Sequence, residues 1–362
     1  RSLTSPIAAI EGNVSGVQFL SASGQPGSSP SVVIRGVGTL NGSSNPLIIV
    51  DGIDFQGGLN TINQDDIESL TVLKDAASTA LYGARAANGV VLITTKSGTK
   101  GKTQVNFSTQ YGLVTRGIPE YDYANPGQYY ELMWEAYKNS LTGADRESRA
   151  SAEIYNRLGY NPFNVANDQI VGVDGKLNPN ANLIYKSLNW YDELDQVGTR
   201  VNHSVNVATG GENHKVFFST SYLEEEGYII TSKFDRITTR LNADFDVNKW
   251  LSIGGSANVS ISESKGPPSR GTSIANPFAF AKNIASIYPV YLNDANGNLI
   301  LDAAGNPQYD LGEGDFSLNQ GSRPYNAGRH AIAEAILNDE LNRNNTYGFR
   351  YYADFKLAEG LN

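Results

Sequence analysis

Few residues in this sequence are spaced for chemistry. Gly36-Val37-Gly38, with Gly42 further on, follows the apolar run Ser31–Ile34 as a phosphate-cradling turn would. A dinucleotide loop needs its glycines in register and a helix whose N-terminus receives the phosphate. Here the spacing is off, and Gly42-Ser43-Ser44-Asn45-Pro46 breaks the chain where that helix must start. Gly101-Lys102-Thr103 has the ending of a phosphate-binding loop, yet Lys96 stands where the first glycine belongs and a strand pattern follows. Neither run is read as a nucleotide site.

Asp294-Ala295-Asn296-Gly297-Asn298 has the oxygen ligands of a calcium loop but no glutamate at the distance of the closing bidentate ligand. Asn-Gly between Tyr291-Leu292 and Leu299-Ile300 favours a hairpin turn instead. His330 and Glu334 could share one helix face, but a single histidine is no metal site. Glu224-Glu225-Glu226, just past an apolar run, reads as solvated loop. No Ser/His/Asp grouping is visible. The expectation is a protein without catalytic residues, cofactor or metal.

Composition narrows the class. The 362 residues carry 28 Lys+Arg against 37 Asp+Glu, a net charge of −9, with no cysteine and three scattered histidines, His203, His214 and His330. Disulfide frameworks, zinc fingers and thiol nucleophiles are excluded. An acidic chain without a basic run is a poor binder of nucleic acid, which needs clustered Lys and Arg. No stretch approaches the apolar length of a membrane helix, and the opening Arg1-Ser2-Leu3 reads as mature-type sequence with no signal-peptide pattern. A Gly-, Asn-, Ser- and Tyr-rich chain suits a secreted β protein or a membrane β-barrel, in which only every second strand residue need be apolar.

The elements that would hold any site come in three textures. Residues 1–98 read as a small α+β unit. Pro6–Phe19 predicts a short helix from Ile7, Ile10, Val14 and Val17. Ser31–Arg35, Pro46–Val50 and Gly89–Thr95 predict strands. Ile67–Leu73 adds an apolar run, and Asp75–Tyr82 a small-residue helix. From Thr103 onward the pattern is long, strict alternation. In Thr103–Thr115, Val105, Phe107, Thr109, Tyr111 and Leu113 oppose Gln104, Asn106, Ser108, Gln110 and Gly112. Val201–Thr209, Lys215–Leu223, Asp235–Val247, Leu251–Ser262 and Thr346–Leu357 repeat it, with Leu241 and Phe349 on apolar faces and Asn242 and Ser256 on polar ones. Strands this long exceed the usual soluble length and reach across a bilayer at a tilt. The turns at Gly210–Asn213, Asn248-Lys249 and Glu359-Gly360 are tight, whereas the connections after the first and fifth strands run to about 80 residues and that after the third to about ten. Short turns on one side and long loops on the other are the pattern of an outer-membrane barrel.

The third texture is the loops. Gly117–Thr199 holds Tyr121, Tyr123, Tyr129, Tyr130, Trp134, Tyr137, Tyr155, Tyr160, Trp190 and Tyr191. Asn125-Pro126 is a helix start, after which Tyr130, Trp134, Tyr137 and Leu141 share a face. These aromatics suit, in decreasing order, a packed loop interior, a protein interface, or platforms for sugar rings.

Four segments together carry a family resemblance: Val32–Gly36, Asn45–Ile53, Asp66–Ser78 and Leu81–Lys96. They closely resemble the plug of TonB-dependent outer-membrane transporters. Tyr82-Gly83-Ala84-Arg85-Ala86-Ala87-Asn88-Gly89-Val90 and the aromatic helix from Asn125-Pro126 resemble the SusC/RagA branch of Bacteroidota. The resemblance implies a membrane β-barrel of roughly 22 strands with an N-terminal α+β plug. Residues 1–98 would be the plug domain and 99–362 the first six transmembrane strands with their extracellular loops. Six strands cannot surround such a plug, and two open edges in lipid are prohibitive, so the sequence is expected to be one segment of a larger polypeptide.

The resemblance further implies a TonB-dependent active importer of glycans or oligopeptides in the Gram-negative outer membrane. TonB would engage an N-terminal segment, and a SusD-like lipoprotein would lid the transporter. The loop aromatics lean slightly toward glycan. The rivals are a plugless passive porin or adhesin barrel and, less favoured, a secreted carbohydrate-active β protein. Expected substrate contacts are Asn41, in the loop Thr39–Ser44, and Asp54, Phe55 and Gln56, in Asp54–Gly58, with Trp190 and Tyr191. Arg35, Gly36, Asp51, Gly52, Lys74, Asp75, Tyr82, Gly83, Arg85, Asn88 and Gly89 are expected to be structural or gating. Arg35, Lys74, Asp75 and Arg85 would face a polar lumen presenting Arg236, Arg240, Asp244, Arg350 and Asp354.

Overall fold

The chain is described as a computed structural model over residues 14–20, 24–28, 31–39, 43–267, 276–318, 320–338 and 340–356. Strands β1 (Val17–Leu20) and β2 (Ser31–Ile34) pair antiparallel, Val17 opposite Ile34. This corrects the helix expected over Pro6–Phe19, of which residues 6–13 lie outside the described residues. A short apolar run fits either period, and the backbone of Val17–Leu20 is taken by β2 as a pairing edge.

A second sheet follows, built from β3 (Leu47–Val50), β4 (Ile53–Asp54), β5 (Ile67–Leu73) and β6 (Val90–Thr95) in the order β4-β3-β6-β5. β3 and β6 are parallel and central, which is why they read as continuous apolar runs. Val32, Ile34, Val50, Val91 and Ile93 form its main core. β3 turns into β4 at Asp51-Gly52, with φ of 51° and 84°. Two successive positive φ values suit an Asp-Gly hairpin turn. The helix expected over Asp75–Tyr82 is shorter: α1 (Ala76–Thr79) gives way to a 3-10 stretch, Ala80–Ala86, interrupted at Gly83 with φ 66° and ψ −160°.

The six alternating segments form one antiparallel sheet: β7 (Gly101–Val114), β8 (Gly198–Gly210), β9 (His214–Glu226), β10 (Lys233–Asp246), β11 (Leu251–Lys265) and β12 (Leu341–Phe355), in consecutive order. Its two faces are the reverse of a water-soluble sheet. Phe107, Tyr111, Ile237, Leu241, Phe349 and Tyr351 are exposed on one face, while Ser219, Ser221, Arg236, Thr238, Arg240 and Ser260 are buried on the other. On β10 the outward apolar residues run from Ile237 to Phe245. That is about 27 Å of strand, or about 20 Å of height at a tilt of about 45°. At the turn side this band ends in rings, with Trp250 stacked on Phe355 at 6.2 Å. At the loop side it ends in charge, with Lys233 3.0 Å from Glu224 and Arg343 2.8 Å from Glu263.

Turns 211–213 and 247–250 are tight, and Asn248 Oδ1 accepts from the amides of Trp250 and Leu251. The expected turn at Glu359-Gly360 lies outside the described residues. The loop-side connections span 115–197, 227–232 and 266–340. The middle one is shorter than expected because the strand continues through the three glutamates. Glu225, expected in a solvated loop, points inward 3.7 Å from Arg200.

The two long connections fold together into a dome containing α2 (Pro126–Ser140), α3 (Arg146–Leu158), α4 (Trp190–Leu194), α5 (Pro277–Asn283) and α6 (Ala331–Leu337). Asn125 and Gln128 close a capping box on α2, with Pro126 at its first turn. Tyr130, Trp134, Ile154, Leu158, Tyr160 and Trp190 from the first connection share a core with Phe280, Ile287, Tyr288 and Ile332 from the second. Most loop aromatics therefore serve as packed interior.

Candidate functional site

Two places concentrate polar contacts between elements distant in sequence. The first is the seam between the four-stranded unit and the inner face of the six-stranded sheet. Asp51, held at the β3–β4 turn, accepts from the amide and hydroxyl of Thr95 at 2.8 and 2.7 Å. Arg240 Nη1 of β10 reaches Asp51 Oδ2 at 3.1 Å and Thr95 Oγ1 at 3.2 Å. One turn-side step along the same face, Asn242 Nδ2 donates to Thr95 Oγ1 at 2.9 Å and to the Lys96 carbonyl at 2.7 Å. Two steps toward the loops, past Thr238, Arg236 donates to the Asn60 carbonyl. Ser204 of β8 donates to Asp65 Oδ2 at 2.9 Å, and Arg350 of β12 to the Asp51 carbonyl at 2.6 Å.

The Thr95 hydroxyl is used in both senses, donating to Asp51 while accepting from Arg240 and Asn242. Because Arg240 and Thr95 are buried, losing one partner would strand a charge away from water. The arrangement holds two bodies together through bonds that can be broken and remade.

The charges expected to face the wall lie elsewhere. Arg35 pairs with Asp75 at 2.6 Å and Arg85 with Asp54 at 2.5 Å, while Lys74 donates to the Ser15 carbonyl at 2.8 Å. These four side chains tie the small unit to itself. Of the expected wall charges, Arg236, Arg240 and Arg350 meet it, whereas Asp244 accepts from the hydroxyl of Tyr352. Asn88 Nδ2 donates to the Ser43 carbonyl at 2.8 Å, and Tyr82 packs beside Ile49, Ala86 and Val90. Gly36 and Gly52 have positive φ, as does Gly89, where a Cβ would also run into Ile34 and the Leu73 carbonyl. Phe55 packs on the core of the small unit, and Gln56 donates to Asp54 at 2.7 Å. Asn41 lies outside the described residues.

Sequence reasoning missed Asn60, Asp65, Thr95 and Lys96 as seam residues. A signal existed for the last two: only 96–100 separate β6 from β7, so the end of β6 must lie beside the wall.

The second place is a cleft of about 640 Å³ in the dome, lined by Glu120, Tyr123, Tyr129, Leu188, Tyr191 and Tyr325 among others. Tyr123 stacks on Tyr191 at 6.1 Å, and the Arg116 guanidinium lies 4.7 Å from the Tyr191 ring centre. Arg116 also pairs with Glu120 at 3.3 Å and Asp195 at 3.4 Å. Burial pushes the Tyr123 and Tyr191 phenols up, so both remain protonated hydrogen-bonding groups. Tyr121, 87% exposed, stands at the mouth.

Trp190 is 2% exposed, its ring 4.9 Å from Phe280 and 4.6 Å from His330, with Nε1 donating to the Tyr288 carbonyl at 2.9 Å. It is a pillar of the dome, and it also forms part of the lining of the cleft. Burial pushes the His330 imidazole down to about 4. Its Nε2 faces the Val290 carbonyl at 2.8 Å and its Nδ1 accepts from the Ala333 amide, so it caps α6 instead of sharing a metal face with Glu334. Asp294 closes its hairpin by accepting from the amides of Asn296 and Asn298.

The small unit and the sheet both have counterparts among known proteins. A model described as the TonB-dependent receptor plug domain matches residues 1–90. The chain is 33% identical over 247 residues to TonB-dependent receptor P39 of Formosa agariphila, covering 68% of this chain and 20% of that protein. It is 32% identical over 244 residues to TonB-dependent receptor SusC of Bacteroides thetaiotaomicron, covering 64% and 20%. The chain belongs to the SusC-like TonB-dependent receptors. Its fold superposes on a solved structure titled the RagAB peptide importer in the 'closed-closed' state, with TM-score 0.71 and 22% identity over 99% of this chain and 38% of that one. The chain thus spans about a fifth of the two curated relatives' length. The small unit corresponds to the plug of that family, and the six-stranded sheet to a stretch of its barrel wall.

Proposed function

We propose that the full protein is a TonB-dependent importer of the outer membrane, with residues 1–98 as its plug domain and 99–362 as its first six wall strands and their loops. The observation that carries the reading is the Asp51–Thr95–Arg240 contact on the buried polar face of a sheet whose other face is apolar. A plug fastened by hydrogen bonds and ion pairs can be released and re-seated, as energised import requires and a passive pore does not. The cargo is a glycan or an oligopeptide, and the dome cleft with its exposed Tyr121 is the surface offered to cargo or to a SusD-like lipoprotein lid. Kinship with SusC and likeness to the RagAB peptide importer support the partner. No residue is assigned a catalytic role.

The test is uptake of labelled oligosaccharides and oligopeptides by cells making the full-length protein, with TonB present or deleted. Accumulation of one cargo class only with TonB is expected. Equal accumulation without TonB would replace the importer by a passive pore.

A further inference from the structure

The short loop-side connection 227–232 is clamped from both sides. On the plug side it meets residues 24–28. Gly27 lies so close to the Phe234 ring that a Cβ there would overlap it, and a Cβ at Gly227 would meet the ring of Pro26. Asn60 Nδ2 donates to the Gly27 carbonyl at 2.6 Å, while the Asn60 carbonyl accepts from Arg236. On the dome side, Ile229 pairs with Asp195, the Ile230 amide donates to the Leu194 carbonyl at 3.0 Å, and the Gln196 amide donates to the Tyr228 carbonyl at 2.7 Å. Ile230 packs on the dome core. Leu194 ends α4, whose Tyr191 lines the cleft.

Within this clamp the backbone is strained. Thr231 has φ 65°, a left-handed conformation that a β-branched residue rarely adopts. Such a residue persists only where its surroundings over-determine it, and here the connection is closed by the Gly227 amide on the Ser232 carbonyl at 2.9 Å and the Ser232 amide on the Ile229 carbonyl at 3.2 Å. If either clamp loosened, Thr231 could relax and the other clamp would lose its template.

We propose that 227–232 is a strained strut through which the loop dome and the plug's loop 24–28 constrain each other, so that a shift of α4 and a shift of that plug loop are energetically coupled. This rests on reading the chain as plug and loops of an importer. The coupling is reciprocal by linkage: what loosens the plug contact must loosen α4, and the reverse.

The test is hydrogen–deuterium exchange on the purified full-length protein. Asn60→Ala frees the Gly27 carbonyl without touching the dome, and should raise exchange at residues 190–194 about threefold or more. Tyr191→Ala acts on the dome and should raise exchange at 24–28 to a similar degree. Adding Thr231→Gly, which accepts the left-handed conformation without strain, should abolish both remote effects while leaving the local ones. Unchanged protection of β8–β11 shows that each variant is folded. If Tyr191→Ala disorders the whole dome, the Asn60→Ala arm decides alone. Absence of the remote effects, or their survival in the Thr231→Gly background, would overturn the proposal. A coupling failure in a protein that still shows TonB-dependent uptake leaves the importer reading standing.

Discussion

Arg240 of the wall and Asp51 of the plug stand 3.1 Å apart, and the same guanidinium reaches Thr95. Asp51 follows β3 and Thr95 ends β6, so one wall side chain grips the ends of both central plug strands.

Breaking this contact should free the plug rather than the barrel. Arg240→Ala leaves the Asp51 carboxylate facing a buried gap and should destabilise plug docking by about 3–5 kcal/mol. The measurement is protease cleavage within residues 1–98 of the membrane-inserted protein. Cleavage should rise sharply in Arg240→Ala and less in Arg240→Lys. Wild-type resistance in both would remove the contact from any docking role.

The two faces of the sheet should respond oppositely to charge. Leu241→Arg or Phe349→Arg should impair membrane assembly by about 2–4 kcal/mol near the midplane, whereas Ser256→Arg should be far milder. Asn242, polar and on the same inner face, is bound to Thr95 and Lys96. Asn242→Ala should therefore leave insertion intact and loosen the plug. Heat-modifiable mobility in gels reads insertion for all four.

This pair shows what the sequence discloses. Alternation assigns Leu241 and Asn242 to opposite faces, because side-chain direction follows from a period of two. It does not say that Asn242 meets Thr95, since that depends on how a separately folded unit seats against the wall. The plug's four segments are readable as a resemblance, but the partners of its charges are not. Arg35 and Asp75 find each other, Arg85 finds Asp54 and Lys74 finds the Ser15 carbonyl, all within the small unit. Trp190 shows a related limit: composition reveals aromatic surface, but not which ring another loop will cover.

The dome should weaken in acid. His330 is buried as neutral imidazole, with its pKa pushed down from 6.5 to about 4 by burial, Arg323 nearby adding to the effect. Unfolding lets the ring take a proton that the folded dome refuses. Its contribution is thus full above about pH 6.5 and is lost as pH falls toward 4, amounting to about 3 kcal/mol across that window. Asp310, whose carboxyl burial pushes up, works in the opposite direction, so the comparison with His330→Asn isolates the histidine. Dome unfolding followed by near-ultraviolet circular dichroism should lose this component of its pH dependence in the variant; an unchanged profile would contradict it.

Pillar and rim aromatics should separate. Trp190→Ala empties a site between Phe280 and His330 and should cost about 3–5 kcal/mol of dome stability. Tyr121→Ala should leave the melting of the dome unchanged while weakening capture of cargo or of the lipoprotein. Co-purification from gently extracted membranes, beside thermal melting, distinguishes the two. Equal destabilisation by both variants would mean that Tyr121 belongs to the core.

A plug seated through contacts on the inner face of the wall should close the pore. The most direct measurement is the conductance of the purified full-length protein in a planar bilayer. The wild type should be closed at low voltage. A variant lacking residues 1–98 should show a large steady conductance, and Asp51→Arg, which sets two cations against each other at the seam, should flicker open. A wild-type protein that conducts as freely as the variant lacking 1–98 would contradict the account.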